Sequence, residues 1–216
     1  MQDFSLVQTI IIYSIPIIFA ITVHEVAHGW VASKLGDPTA KMMGRLTLNP
    51  VKHIDPIGTI IVPLVLLAIG NFLFGWAKPV PVDWRNLRRP RQDMAWVALA
   101  GPAANLLMLI FWALVAKLII VIDPTNPAIA QPFIVMALAG ILINIILMVL
   151  NLIPLPPLDG SRVMSALLPP HLAVKYNRLE PYGIVILLLL FATGILGKYF
   201  WPVIMILQRL VESILT

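Results

Sequence analysis

The sequence contains no cysteine, so disulfide bonds, thiol catalysis and cysteine-ligated metal sites are excluded. Charged residues are also scarce: they make up 12% of the chain, against about a quarter of an ordinary soluble domain. Hydrophobic residues make up 60% of the 216 residues, which predicts a polytopic membrane protein with no room for a large soluble domain. The net charge is +5, but the basic residues flank apolar segments. We interpret them as topology signals and expect no nucleic-acid partner.

Histidine is rare as well, with 4 in the whole chain, yet two of them flank a glutamate in His24-Glu25-Val26-Ala27-His28. Residues four apart lie on the same face of a helix, so His24 and His28 are predicted to bind one metal ion together. Glu25 is placed to take a proton from a metal-bound water. The alternative is that neighbouring helices satisfy all three side chains in the core of a bundle.

The apolar segments predict an all-α polytopic membrane protein with about five transmembrane helices. These segments cover residues 5–34, 94–122, 130–153, 182–196 and 199–214. We predict one membrane-embedded domain over residues 1–216, with a catalytic core at about 5–168 and a helical hairpin at about 182–214. The hairpin is expected to break at Gly197-Lys198, and one long helix with a buried Lys198 is the alternative.

Two further segments are expected near the site. Residues 57–76 are apolar and long enough to span, but basic residues stand on both sides, so we predict a re-entrant segment. Alternation in residues 44–49 predicts a short β-strand or hairpin whose free edge pairs with an extended peptide. An ordinary basic surface loop is the equal alternative.

The positions of the basic residues predict the topology. With the N-terminus outside and residues 57–76 re-entrant, every Lys and Arg except Lys117 and Lys198 falls on the cytoplasmic side. We therefore expect a multi-pass protein of the cell membrane, plasma or inner, with its active site toward the cytoplasm.

A catalytic zinc site uses three protein ligands and keeps one position for water, so two histidines do not complete it. Asp159 is the predicted third ligand because the topology brings it to the same depth, although an aspartate there also suits a helix cap. His53 is a weaker candidate, since a polar loop histidine explains it as well. Asn151 and Asn105 either bind substrate and its oxyanion or join helices by hydrogen bonds. The expected cofactor is one zinc ion per chain.

Two motifs together resemble the site-2 protease family of intramembrane zinc metalloproteases. They are His24-Glu25-Val26-Ala27-His28 in a first membrane helix and Asn151-x-x-Pro154-x-Pro156-Pro157-Leu158-Asp159-Gly160 in a later span. Gly101-Pro102-x-x-Asn105 and Gly75-Trp76-Ala77-Lys78-Pro79-Val80-Pro81 resemble its short bacterial and archaeal branch, which has no PDZ or CBS domain. The resemblance covers most of the chain, about residues 17–168. It implies a three-helix catalytic core that cleaves transmembrane-helix substrates within the lipid bilayer.

Two other classes of function stay open. A divalent metal-ion transporter would use His24, His28 and Asp159 as a transit site, but it would want acids or histidines in both halves of the membrane. An inactive, protease-like protein that binds membrane helices would have a broken H-E-x-x-H motif, and here the motif is intact.

Overall fold

A computed structural model describes residues 4–62, 64–65, 75–122 and 127–215. Its α-helices are α1 (Leu6–Leu35), α2 (Thr39–Met42), α3 (Pro90–Ile122), α4 (Pro127–Asn151), α5 (Asp159–Leu167), α6 (Pro170–Asn177), α7 (Gly183–Ala192) and α8 (Ile195–Leu215). Short 3-10 helices cover Pro50–His53, Trp84–Asn86 and Glu180–Tyr182, and a π-helix covers Pro56–Ile61. The predicted all-α class is confirmed for these residues, none of which lies in a strand.

Three of the described helices are long and apolar enough to cross a membrane, namely Leu6–Leu35, Pro90–Ile122 and Ala130–Asn151. Pro170–Ala192 and Ile195–Val211 make a fourth only if this pair, bent by 79°, is one broken span. A helix as short as α7 extends about 15 Å, half of the hydrocarbon layer. The chain is a membrane protein with three or four such helices in its described part, and the predicted five spans are not confirmed.

The C-terminal break lies at a different place from the predicted one. Gly197 and Lys198 are inside α8, whereas α7 ends at Ala192 and Gly194 has a φ of +72°. A left-handed φ favours glycine and stops a helix, so Gly194 sets the break. The bend of 79° between the two helices also differs from the antiparallel hairpin that we expected.

The strand predicted at residues 44–49 is not formed. Residues 45–49 are neither helix nor strand, and Arg45 instead donates from Nη2 to the carbonyls of Lys78 and Pro79, at 3.0 and 3.3 Å. The neighbouring chain contains Pro79 and Pro81, which have no N–H to donate to a ladder. The Arg45 side chain therefore joins residues 45–49 to the stretch that contains Pro79 and Pro81, in place of the main-chain pairing that a strand would make.

Both ends of the predicted re-entrant segment lie close together. The Trp76 N–H donates to the Gly58 carbonyl at 3.1 Å, and the Thr59 hydroxyl donates to the Trp76 carbonyl at 2.9 Å. A segment that crossed a bilayer once would place its ends about 30 Å apart. These contacts support a return to the same side, while residues 63 and 66–74 of the segment lie outside the described part of the chain.

Helix α1 is capped at both ends. The Ser5 hydroxyl accepts from the Gln8 N–H, and Gln8 Oε1 accepts from the Ser5 N–H, which completes a capping box. At the other end Gly36 has a φ of +118°, and the Leu35 carbonyl accepts from the Arg88 N–H at 3.1 Å. These caps fix where the helix that carries the metal motif begins and ends.

A buried carboxylate anchors the loop beside this end of α1. Asp37 accepts from the N–H and hydroxyl of Thr39, from the Asp83 N–H and from the Asn86 amide. Burial alone would raise the pKa of the Asp37 carboxyl, but these hydrogen bonds hold that pKa below its usual value. The segment that leads into α3 is thereby fixed against the helix that bears His24 and His28.

The apolar core is formed by α3, α4 and α8. Its buried members are Met108, Leu109, Trp112 and Ala116 of α3, Ala137, Ile141 and Ile145 of α4, and Phe200 and Ile204 of α8. Gly140 of α4 lies against the Trp112 ring so closely that a Cβ there would overlap it. Small residues at such points let helices approach each other in a membrane protein.

We predict that Gly183→Ala destabilises the attachment of the C-terminal helices. A Cβ at Gly183 would overlap the Pro156 carbonyl oxygen, which belongs to main chain that cannot rotate away. Overpacking of this kind costs about 1–3 kcal/mol, so the midpoint of thermal unfolding in detergent should fall. Gly197→Ala is the matched control, because a Cβ there meets only Trp201 at 3.7 Å. Equal midpoints for the two variants would contradict this account.

Candidate active site

Helix α1 presents His24 and His28 on one face, one turn apart, as the spacing predicts. Their Nε2 atoms are 3.1 Å apart, and the two rings meet edge to face with centroids 4.7 Å apart. Both side chains are largely shielded, with exposed fractions of 9% and 12%. Each imidazole therefore offers its Nε2 to the same small volume inside the helical bundle.

Asp159 reaches this volume from the first position of α5. Its Oδ2 is 3.2 Å from His24 Nε2 and 3.3 Å from His28 Nε2. The preceding turn is tight, and a Cβ at Gly160 would overlap the Leu152 carbonyl oxygen. The helix-cap alternative is not what the structure shows, because Leu158 occupies the N-cap and no side chain caps α5. The structure thus brings together the three residues predicted as ligands.

Hydrogen bonds at the far side of each ring determine which nitrogen carries the proton. His28 Nδ1 lies 2.7 Å from the Val97 carbonyl, and His24 Nδ1 lies 2.6 Å from Asn105 Oδ1. A carbonyl oxygen only accepts, so each Nδ1 must carry the hydrogen that it donates. In the neutral imidazole each Nε2 then has a free lone pair, which is the form that binds a metal.

The three inward atoms are all acceptors, and this arrangement suits a cation. Asp159 Oδ2 is buried and has no hydrogen-bond partner among the described residues. A tetrahedral zinc ion with bonds of about 2.0–2.1 Å would hold its ligand atoms about 3.3 Å apart, close to the separations seen here. Gly101 of α3 leaves space beside them, since a Cβ there would come within 2.5 Å of His28 Nε2. The residues present fit a zinc ion.

Asn105 supports His24 from behind. Its Oδ1 accepts from His24, while its amide nitrogen donates to Asn144 Oδ1 at 2.9 Å and lies 3.4 Å from the Ala20 carbonyl. Asn144 in turn donates to the Gly140 carbonyl at 2.8 Å, and both amides are fully buried. With its hydrogens engaged in this way, Asn105 is not arranged to donate to an oxyanion, and its contacts match the alternative that it joins helices by hydrogen bonds. Its position indicates a role in orienting His24.

The other residues predicted from the sequence make hydrogen bonds outside the group of His24, His28 and Asp159. Asn151 donates within its own helix to the Leu147 carbonyl at 3.0 Å. His53 is buried and donates from Nε2 to the Thr47 carbonyl at 2.9 Å, outside the metal-ligating group. Glu25 accepts at Oε2 from the Val80 N–H at 2.8 Å. The base candidate is thus held by a loop, and the two histidines are held by α3.

Three groups that hold the side chains of the site were not predicted from the sequence. They are the Val97 carbonyl, the Asn144 amide and the Val80 N–H. Two of them are main-chain groups, which no residue type identifies. Asn144 could have been identified from the sequence, because a polar amide in an otherwise apolar span needs a hydrogen-bond partner. The Val80 N–H could also have been identified, because Pro79 and Pro81 have no N–H and leave Val80 as the single main-chain donor of residues 79–81.

We predict that Asn105→Ala weakens zinc binding about 10- to 100-fold, the usual cost of losing an outer-shell partner of a metal-ligating histidine. The dissociation constant is measured by competition with a chelator. Asn151→Ala is the matched control and should bind zinc as the wild type does, because among the described residues Asn151 bonds within its own helix, to the Leu147 carbonyl. Wild-type affinity in the Asn105 variant would show that His24 needs no support from this amide.

Comparisons with known proteins agree with this chemistry. A Bacillus subtilis protein named "Putative zinc metalloprotease YwhC" is 40% identical over 195 residues, covering 88% of this chain and 84% of its own. "Putative zinc metalloprotease Rip2" of Mycolicibacterium smegmatis is 29% identical over 196 residues, covering 87% of this chain and 69% of its own. The Rip2 of Mycobacterium tuberculosis is also 29% identical, over 189 residues, covering 86% and 68%.

No family model matches the chain, and no solved structure matches it. The identity to YwhC extends over most of both chains and so includes more than a short motif. The resemblance carried by the histidine and aspartate motifs is confirmed, and the chain belongs to the zinc metalloprotease family of YwhC and Rip2.

Proposed function

We propose that this chain is an intramembrane metalloprotease of the site-2 type, which hydrolyses peptide bonds in transmembrane helices. The observation that carries the proposal is the convergence of His24, His28 and Asp159 on one point beside α1 and α3. Both helices are long and apolar enough to cross a membrane. A metal site on such helices meets substrates that are themselves within the bilayer.

His24, His28 and Asp159 hold one zinc ion per chain, and Glu25 acts as the general base. Zinc, when bound, supplies a Lewis acid that lowers the pKa of a water to about 7. Glu25 accepts the proton of the attacking water as the water oxygen bonds to the peptide carbonyl carbon. Glu25 then returns that proton to the departing nitrogen as the C–N bond breaks, so the products are a carboxyl group and an amine.

The substrate must unwind before it reacts, because a helical peptide bond is hydrogen-bonded and crowded by side chains. Residues 45–49 border the face of α1 that carries Glu25: a Cβ at Gly29 would come within 2.7 Å of both Leu46 and Val80. We expect the unwound segment to lie beside this stretch, with Asn151 holding its backbone from the other side. Substrates with Gly, Pro or Asn near the cut should unwind most readily.

The transporter alternative has less support. A transit path needs further ligands along the membrane, and the described residues contain one group of three metal-ligating side chains. The intact Glu25 likewise favours catalysis over binding alone. We place the protein in the cell membrane as a multi-pass protein whose active site faces the cytoplasm, because the basic residues flank the spans mainly on that side.

We expect Asp159→Asn to lose most of its bound zinc. The amide keeps the size of the side chain but supplies no negative charge to the ion. Metal content is measured in the purified membrane protein after dialysis against a fixed free zinc concentration. Asp93→Asn serves as a control, since the Asp93 carboxyl accepts from the Arg89 N–H and is not part of the metal-ligating group of the described residues. Full occupancy in the Asp159 variant would exclude it as a ligand.

Glu25→Gln should keep zinc and lose turnover by at least about 100-fold, the lower range for general-base catalysis. The amide cannot accept the proton, whereas the metal ligands are untouched. Cleavage of a membrane-helix peptide and zinc content are measured on the same sample. Glu180→Gln is the control, because Glu180 pairs with Arg162 and is not part of the metal-ligating group of the described residues. Cleavage near the wild-type rate would assign the proton transfer to another group.

A further inference from the structure

We propose that the main-chain N–H of Val80 is a positioning group for Glu25 and that Arg45 keeps it in place. The inference rests on the proposed function, because it treats Glu25 as the general base. It concerns a different part of the chain from the metal ligands, namely residues 77–83 between the apolar segment and α3. This stretch is called the proline strap below.

The proline strap offers one hydrogen-bond donor where it passes Glu25. Pro79 and Pro81 have no N–H, so Val80 carries the single main-chain donor of residues 79–81. That donor points to Glu25 Oε2 at a distance of 2.8 Å. Lys78 and Val80 each precede a proline, which disfavours helical backbone and keeps the strap extended. The local sequence thus supplies a rigid stretch with a single N–H.

The strap is anchored on both sides of Val80. On one side the Arg45 guanidinium donates to the carbonyls of Lys78 and Pro79, and the Lys78 N–H donates to the His53 carbonyl at 2.9 Å. On the other side the Asp83 N–H donates to the buried Asp37 carboxylate at 2.8 Å. Arg45 is itself only 8% exposed, so its charge is placed in the interior to hold these carbonyls.

Packing against α1 fixes the register of the strap. Gly29 lies one turn after Glu25 on the same face of α1, and a Cβ there would come within 2.7 Å of the Val80 side chain. The absence of that Cβ lets Val80 rest on the helix, with its side chain buried and its N–H at the level of the carboxylate. A shift by one residue would place a proline, which has no N–H, opposite Glu25.

The contact selects which oxygen of Glu25 reacts. Oε2 is occupied by Val80, while Oε1 makes no hydrogen bond among the described residues and is left for the proton of the water. A glutamate side chain has three rotatable torsions, and an unheld carboxylate would spread over several rotamers. A general base must stand within hydrogen-bond reach of the proton that it takes, so this restraint acts on the rate of the chemical step.

The direct test replaces the Val80 amide by an ester. The corresponding α-hydroxy acid, introduced at position 80 of the full-length chain, removes the N–H and retains the side chain. We expect kcat for a membrane-helix peptide to fall at least about tenfold, as for the loss of a hydrogen bond to a charged group, with KM within twofold and zinc content unchanged. The matched control is the ester at Val82, whose N–H makes no hydrogen bond in the described part of the structure.

A spectroscopic measurement reports the contact without turnover. The chain has three glutamates, Glu25, Glu180 and Glu212, so ¹³C labelling of glutamate followed by subtraction of the Glu25→Gln spectrum isolates the infrared carboxylate band of Glu25. This band should move in the position-80 ester and stay in place in the position-82 ester. An unmoved band, or an unchanged kcat with the position-80 ester, would overturn the proposal.

Arg45 is tested in combination with the ester. Arg45→Leu should lower kcat, and Arg45→Lys should restore part of the loss because an ammonium group can still donate to one of the two carbonyls. In the doubly altered chain the two losses should not multiply, since both act through the same contact. Multiplied losses would overturn the role of Arg45. A wild-type chain that cleaves no membrane-helix peptide would contradict the proposed function instead, and the infrared band would still decide the contact.

Discussion

The candidate metal site depends on three acceptor atoms that converge on one small volume. His24 Nε2, His28 Nε2 and Asp159 Oδ2 lie 3.1 to 3.3 Å apart, and the hydrogen bonds behind the rings place both imidazole protons on Nδ1. Asp159 Oδ2 has no hydrogen-bond partner among the described residues, so a cation would stabilise the three lone pairs. The contacts of α3 with the rings and the tight turn before Asp159 both serve to hold this arrangement.

The parts of this site that follow local geometry could be predicted from the sequence. Residues 24 and 28 share a helix face by the pitch of the helix alone, and the ends of α1 follow from Ser5 and Gly36. Asp159 was predicted as the third ligand because two histidines do not complete a zinc site and the topology brings Asp159 to the same depth of the membrane. The role of Asn105 could not be predicted in this way, because the sequence does not show toward which neighbour an amide turns.

The two errors have different physical causes. A strand needs a partner that offers main-chain donors, and residues 45–49 lie beside prolines that have none. We predicted the C-terminal break at Gly197, but Gly194, which lies three residues earlier, adopts the left-handed conformation. The strand thus failed for want of a partner with main-chain donors, whereas the break was misplaced because either glycine can adopt a left-handed φ.

Two of the proposed ligands, His24 and His28, and the proposed base Glu25 belong to one pentapeptide but are held by different parts of the protein. Neighbouring residues on a helix point about 100° apart, so Glu25 cannot share the surroundings of His24. Helix α3 supports the histidines through Asn105 and Val97, and the loop before α3 supports Glu25 through Val80. Asp37 and the Leu35 carbonyl join that same loop to the end of α1. The position of Glu25, the proposed base, relative to the proposed metal ligands is therefore set by how this loop lies against one helix.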